Sequence, residues 1–255
     1  MNNPNVARFY VIGNTPYFYK DVIKDKDVEI YSADPYRTTN HITKKSHLIK
    51  TWCDMAGVEH NNEGPELYFN FREQEEGTAY INQFKTDQRP TLLFQPFGGP
   101  GPDHQQHPYS WTRDMHPRQA QEVVNSLAQK YNVIHVCYEF HPTLQNCNRF
   151  DKTIGKKALF AMTAAVDKRL FIDSSLQHAS AALGRKSTVL WIATQPKIFG
   201  YKLHNNIGPK KEYLDGHIDS YLFDYNFTGT IYECPYKSIE ELHDVNAIVQ
   251  SVEQN

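Results

Sequence analysis

Between two apolar runs of this 255-residue chain, Asp173, Ser174, Ser175 and His178 place a carboxylate, two hydroxyls and an imidazole within six positions. Asp and Ser are helix-capping residues, and the unpaired N–H groups at a helix N-terminus favour an anion. A cap explains Asp173 as well as a ligand does, and a lone histidine on such a helix is as readily a packed residue as a catalyst. Ala179, Ala181 and Ala182 allow the helix to pack closely, and Gly184 is placed to end it. A second candidate is the loop from Pro96 to His116, which contains Gly98, Gly99, Gly101 and Arg113. Its glycines let backbone approach a ligand, and a guanidinium before a helix can clamp a phosphate with two hydrogen bonds. A surface arginine on a flexible turn has the same signature. The third is Glu139, just past an apolar strand, where a carboxylate can accept from ribose hydroxyls or be merely solvated.

These residues need elements to bring them together. Strands at Thr91–Gln95, Asn132–Cys137, Leu170–Ile172 and Thr188–Ile192 alternate with helices at Pro117–Lys130, at Lys156–Val166 and after Asp173. Ala120, Val123, Val124, Leu127 and Ala128 form the one-sided stripe of a helix lying on a sheet. Such alternation predicts an α/β fold with a parallel sheet of at least four strands, covered on both faces. Ligands of such sheets bind at the carboxyl ends of the strands. Asp173 is therefore expected at the end of a central strand.

The first part of the chain is less regular. Short strands are expected at Arg8–Gly13 and Val28–Tyr31, a helix from His41 to Gly57, an extended piece at Pro65–Asn70 and a polar helix from Arg72 to Phe84. The polar stretch ending at Pro90 is the candidate linker. This divides the chain into a reduced N-terminal α/β domain, 1–90, and a ligand-binding α/β domain, 91–255. An incomplete sheet leaves an apolar edge that a partner, a second copy or the chain's own C-terminus would cover, so self-association through the N-terminal part is expected. Tyr213–Phe227 is aromatic and acidic, and Ile239–Val252 reads as a final helix.

With 27 basic and 29 acidic residues the formal charge is −2, which gives no overall footprint for nucleic acid or anionic membrane. Arg37, Lys44 and Lys45 form at most a small basic patch. Cys53, Cys137, Cys147 and Cys234 lack both metal-ligand spacing and disulfide density, so reduced thiols in the cytoplasm are expected. No run approaches the ~18 apolar residues of a membrane span, and no export signal opens the chain. No His/Asp/Glu cluster has metal spacing, so neither a metal nor a cofactor is expected.

The run from Leu170 to Pro196 resembles the signature of the heptosyltransferase-like glycosyltransferases, glycosyltransferase family nine. In that signature an acid, small residues and a histidine open a helix before an Ala-Leu-Gly and the next strand. The resemblance extends back through Phe94-Gln95-Pro96 and Ser110 to Pro117, and forward to Phe199-Gly200-Tyr201 and Asn205-Asn206-Ile207. It implies a GT-B fold with a complete Rossmann-like C-terminal domain that binds the nucleotide-diphosphate sugar, and metal-independent transfer with inversion. Asp173 matches the donor-binding acid, Ser174 and Ser175 the residues contacting the diphosphate, and His178 the motif histidine. Arg113 matches a basic residue before a Trp-Pro pair, here His116-Pro117, and Glu139 lies near a base- or ribose-contacting acid. The implied partners are a nucleotide-sugar donor and an acceptor that is a glycan, a lipid-linked sugar or a modified DNA base. The sequence departs from the family in having no Gly-Asp pair, whose aspartate is thought to activate the acceptor. A chain truncated at its start, another base, or a catalytically silent nucleotide-sugar-binding or scaffold protein would each account for that.

Overall fold

The computed structural model describes residues 3–6, 10, 12–28, 34–98, 111–151, 155–213, 236 and 238–255. Its centre is one six-stranded sheet, with β1 (Thr91–Gln95), β2 (Asn132–Cys137), β3 (Asn148–Asp151), β4 (Lys168–Ile172), β5 (Thr188–Leu190) and β6 (Asn205–Ile207) in the order β3-β2-β1-β4-β5-β6. Every pairing is parallel. Parallel strands covered on both faces read as continuous apolar runs, and every residue of β1 and β2 is buried.

Alternate strand residues feed two cores. Leu92, Phe94, Val133, Leu170 and Ile172 pack with Ala120, Val123, Val124 and Leu127 of α4 (Pro117–Leu127), and with Ile248 and Val252 of the last helix. Leu93, Ile134, Val136 and Phe171 meet the opposite layer, formed by α3 (Phe71–Gln83), α5 (Lys156–Ala165) and α6 (Ser175–Ala182). Each fully buried Leu or Phe contributes about 1.5–3 kcal/mol, so these two cores dominate stability. The last helix, α8 (Val245–Glu253), is capped by Asp244, which accepts from Asn246 N and Ala247 N.

The expected 41–57 helix is two helices, α1 (Thr39–Ile42) and α2 (Leu48–Met55). The chain turns between them through Lys44 at φ 50°, and His47 opens α2 by accepting Ile49 N on Nδ1 at 3.2 Å. Gly57 ends this unit at φ 65°, the left-handed conformation glycine adopts freely. Ile12–Asn14 form a 3-10 turn, so the expected Arg8–Gly13 strand does not run to its end. Residues 7–9 and 11 and most of Val28–Tyr31 lie outside the described residues. Leu67 in the expected extended piece donates its N–H to Ala182 O at 3.3 Å, at the end of α6. The run into β1 is fastened down: Asn132 Nδ2 donates to Asp87 Oδ1 at 3.0 Å and to Arg89 O at 2.8 Å. Edge strands β3 and β6 are additions that the sequence pattern does not predict.

Candidate functional site

The chain leaves β1 toward β2 and β3, then crosses back to β4 and continues outward to β6. The connections therefore diverge between β1 and β4, and in open parallel sheets that divergence opens a crevice at the carboxyl ends of the two strands. Gln95, 2% exposed, ends β1 there, and Asp173, 8% exposed, follows β4. Ser174 joins the two sides. Its Oγ donates to Gln95 Oε1 at 2.6 Å and accepts Leu176 N at 3.3 Å. Gln95 is itself held, with Nε2 donating to Phe97 O at 3.2 Å.

Ser174 is thus the N-cap of α6, with extended backbone at φ −155° and ψ 173°. The expectation that Asp173 shares the capping is corrected: the N-cap is Ser174, and Asp173 stands one position before it. Ser175 is the first helical residue and is exposed. Asp173, Ser174, Ser175 and His178 therefore stand together at the head of one helix. Its N-terminal N–H groups point toward the carboxyl edge of the sheet.

Arg113 lies on the same rim but on a different support. Met115 N donates to Pro96 O at 2.9 Å, Gly98 N to Asp114 Oδ1 at 2.7 Å, and Ala193 N to Thr112 O at 3.0 Å. These bonds tie the segment around Arg113 to the ends of both β1 and β5, while its guanidinium is exposed. Trp111, Ile192, Ala193, Tyr236 and Leu242 form a third apolar cluster beneath this rim. Loop residues Gly99 and Gly101 lie outside the described residues. Glu139 is exposed after β2, and Arg149 Nη2 donates to its backbone oxygen at 3.0 Å. No hydrogen bond or ion pair among the described residues joins Arg113 or Glu139 to the head of α6.

His178 brings in residues that the sequence reading gave no role. Its Nδ1 is 2.8 Å from the Tyr201 hydroxyl, and the two rings meet edge to face at 5.5 Å. Tyr201 also faces His47 at 5.5 Å and His204 at 5.8 Å. His47 Nε2 lies 3.0 Å from Gly200 O, which docks α2 onto the turn after α7 (Pro196–Phe199). Gly200 is required at that turn: a Cβ would stand 2.8 Å from Pro196 Cα and from the Trp191 ring. Burial pushes the His178 pKa down, Asp173 opposes that, and His47 lowers it further. Burial, with the negative charge of Asp173, pushes Tyr201 up to about 12. Both side chains are uncharged near neutrality. His47 is separated from Gly200 by 153 positions, so no local signal announces the pairing.

A separate open groove of about 580 Å³ is lined by Arg89, Asn125, Ala128, Gln129 and Asn146. Those residues sit by the amino ends of the strands, on the edge opposite the crevice, and the Arg89 charge is already paired with Asp87 at 2.7 Å. No helix among the described residues is long and apolar enough to cross a membrane.

No family model matches the sequence, and no curated protein matches it significantly. Solved structures do match in fold. A glycosyl transferase family 9 protein from Veillonella parvula superposes with a TM-score of 0.57 at 12% identity, over 82% of this chain and 60% of that one. The dodecameric iron-containing heptosyltransferase TibC, solved with ADP-D-β-D-heptose, gives 0.52 at 11% identity, over 88% of this chain and 58% of that one. The chain thus spans about three fifths of the length of these proteins. At such identities the likeness is one of architecture: this chain has the α/β, GT-B-like fold of the heptosyltransferase-like glycosyltransferases.

Proposed function

We propose that the chain binds a nucleotide-diphosphate sugar at the carboxyl edge between β1 and β4 and transfers the sugar to an acceptor. One observation carries this reading: Ser174, bonded at once to Gln95 and to Leu176 N, aims the head of α6 into the crevice. The likeness in fold to a heptosyltransferase solved with a nucleotide sugar supports it.

A nucleotide diphosphate brings roughly two negative charges, which the first-turn N–H groups of α6 and the Arg113 guanidinium answer. The same groups stabilise the charge that develops on the diphosphate as the bond to the sugar breaks, so the departing nucleotide needs no metal. Asp173 repels phosphate and therefore serves the hydroxyl-bearing parts of the donor. Ser174 and Ser175 lie against the diphosphate, and His178 stands one turn along. Glu139, one strand outward, is placed to meet the nucleoside.

Calorimetric titration with UDP, ADP and the parent nucleosides tests the reading. Each charged hydrogen bond contributes about 1.5–3 kcal/mol, so Arg113→Ala is expected to weaken diphosphate binding about tenfold or more and nucleoside binding little. EDTA is expected to change neither affinity. Equal losses for nucleoside and diphosphate would remove Arg113 from the phosphate site. Absence of binding by the unmutated protein would leave the donor site without support, and binding without transfer to any acceptor would favour a silent binding protein.

A further inference from the structure

Two histidines carry residues 34–57 onto the turn after α7. His41 lies edge to face against Phe199 at 5.7 Å and against Tyr36 at 5.1 Å. His47 reaches the next residue, with Nε2 3.0 Å from Gly200 O and its ring facing Tyr201. Asn40 Nδ2 donates to Asp54 Oδ2 at 2.8 Å, which joins α1 and α2 into one unit.

The proton of the His47 ring has only one place. Gly200 O only accepts, so Nε2 carries the hydrogen, and Ile49 N only donates, so Nδ1 must be bare to cap α2. A second proton on Nδ1 would meet the Ile49 N–H, remove the cap and set a cation at the positive end of the helix. His41 Nδ1 is buried with no hydrogen-bond partner among the described residues, which a bare lone pair tolerates better than a charged N–H. Little acid stands by to compensate. His60 and His178 act on the His47 site from the chain after α2 and from α6, and Tyr201 faces it from the turn. On α2 itself, Lys50 and Asp54 are paired with each other at 2.7 Å. Asp34 acts on His41 but shares its charge with Arg37 at 3.6 Å, and Asp173 acts on His178.

We infer that residues 34–57 form an acid-released latch: neutral His41 and His47 hold α1 and α2 on the Phe199–Tyr201 turn, and protonation undocks the two helices while the sheet stays folded. Burial lowers the pKa of both docked rings, whereas released rings take up a proton near pH 6.5. Docking is therefore complete above about pH 6.5 and weakens as pH falls. For each ring the released population rises by up to about tenfold per pH unit.

Hydrogen exchange of the full chain, followed by mass spectrometry at pH 7.5, 6.5 and 5.5 and corrected for the intrinsic rate, tests the latch. Peptides from 39–57 are expected to lose protection about tenfold or more over that range, ahead of peptides from β1 and β4. His47→Asn keeps a capping oxygen and removes one titrating ring, so the loss in 39–57 should become shallower by one proton while the sheet peptides keep their slope. Should that variant leave 39–57 unprotected at every pH, nitrogen-15 shifts of the unmutated protein decide. There His47 is expected as the Nε2–H tautomer at pH 7.5, gaining its second proton as 39–57 loses protection. Protection of 39–57 that is level with pH, or that falls only together with β1 and β4, overturns the latch. So does an unchanged slope in a docked His47→Asn, or a His47 ring that becomes charged with α2 still protected.

Discussion

A single hydroxyl, that of Ser174, fastens β1 to the head of α6, and removing it tests how far the crevice depends on one side chain. Ser174→Ala deletes the N-cap and leaves the buried Gln95 Oε1 without its donor. The expected cost is about 1–2 kcal/mol in urea unfolding, with the slope unchanged. Ser174→Thr, which keeps the oxygen, is expected to restore most of it. A variant as stable as the parent would show that water replaces both bonds. Arg169 is a second residue whose charge is structural. Its guanidinium donates to the oxygens of Thr163, Ala164 and Val166 at 2.6, 3.2 and 2.6 Å, closing the C-terminus of α5, where a cation is favoured. Burial lowers its pKa to about 10, which leaves it charged at neutrality. Arg169→Met strands those carbonyls and is expected to cost about 3 kcal/mol by thermal or urea unfolding.

The packing of α3 on α5 is decided by the absence of a side chain. A Cβ on Gly77 would stand 2.5 Å from the Ala161 carbonyl carbon and 2.6 Å from its oxygen, so the two backbones are in contact there. Two effects oppose each other in Gly77→Ala. Alanine favours a helix by about 1 kcal/mol over glycine, while overpacking a close contact costs about 1–3 kcal/mol. The clash is with backbone, which cannot rotate away, so net destabilisation is expected. Circular dichroism melts of Gly77→Ala beside the parent give the net of the two terms, and Gly64→Ala, outside any helix and with nothing within 4 Å, controls for an alanine that meets neither. A Gly77→Ala protein that melts at or above the parent would mean α3 can slide on α5. The same contact explains why α3, before β1 in sequence, belongs to the layer that covers the sheet.

Across the whole molecule, acid acts through histidines held neutral. His243 is wholly buried, with Nε2 donating to Trp191 O at 3.0 Å and Gln119 bracketing its backbone, and burial pushes its pKa down to about 4. The unfolded chain takes up a proton near pH 6.5 that the folded state refuses until about pH 4. Its contribution is therefore complete above about pH 6.5 and is lost as pH falls toward 4, at up to about 1.4 kcal/mol per pH unit and about 3 kcal/mol in all. His41, His47, His178 and His204, also lowered by burial, act with the same sign. Urea midpoints are expected to be level from pH 8 to 7 and to fall from 6.5 to 4.5. His243→Asn should flatten that fall by about one proton. Stability constant or rising between pH 6.5 and 5 would contradict a neutral, buried set.

The local pattern of the sequence determined the middle of this sheet. Strands β1, β2, β4 and β5 and helices α4, α5 and α6 follow from apolar runs and a helical stripe, because burial on both faces writes itself into consecutive residues. Asp173 at a strand end was legible for the same reason, and so was the stop at Gly184, whose φ is 64°. The edge strands were not: β3 and β6 have three or four residues each, and only Phe150 of them is buried, so neither carries a pattern that differs from a loop. Which residue caps α6 was also beyond the sequence, since Asp173, Ser174 and Ser175 are all capping types and only the backbone turn at Ser174 selects among them. The surroundings of His178 lay furthest from reach. His47, Tyr201 and His204 come from separate segments, and what joins them is the docking of α2 on the turn at Gly200. Contacts of that range depend on how whole elements pack, and neither composition nor periodicity records them.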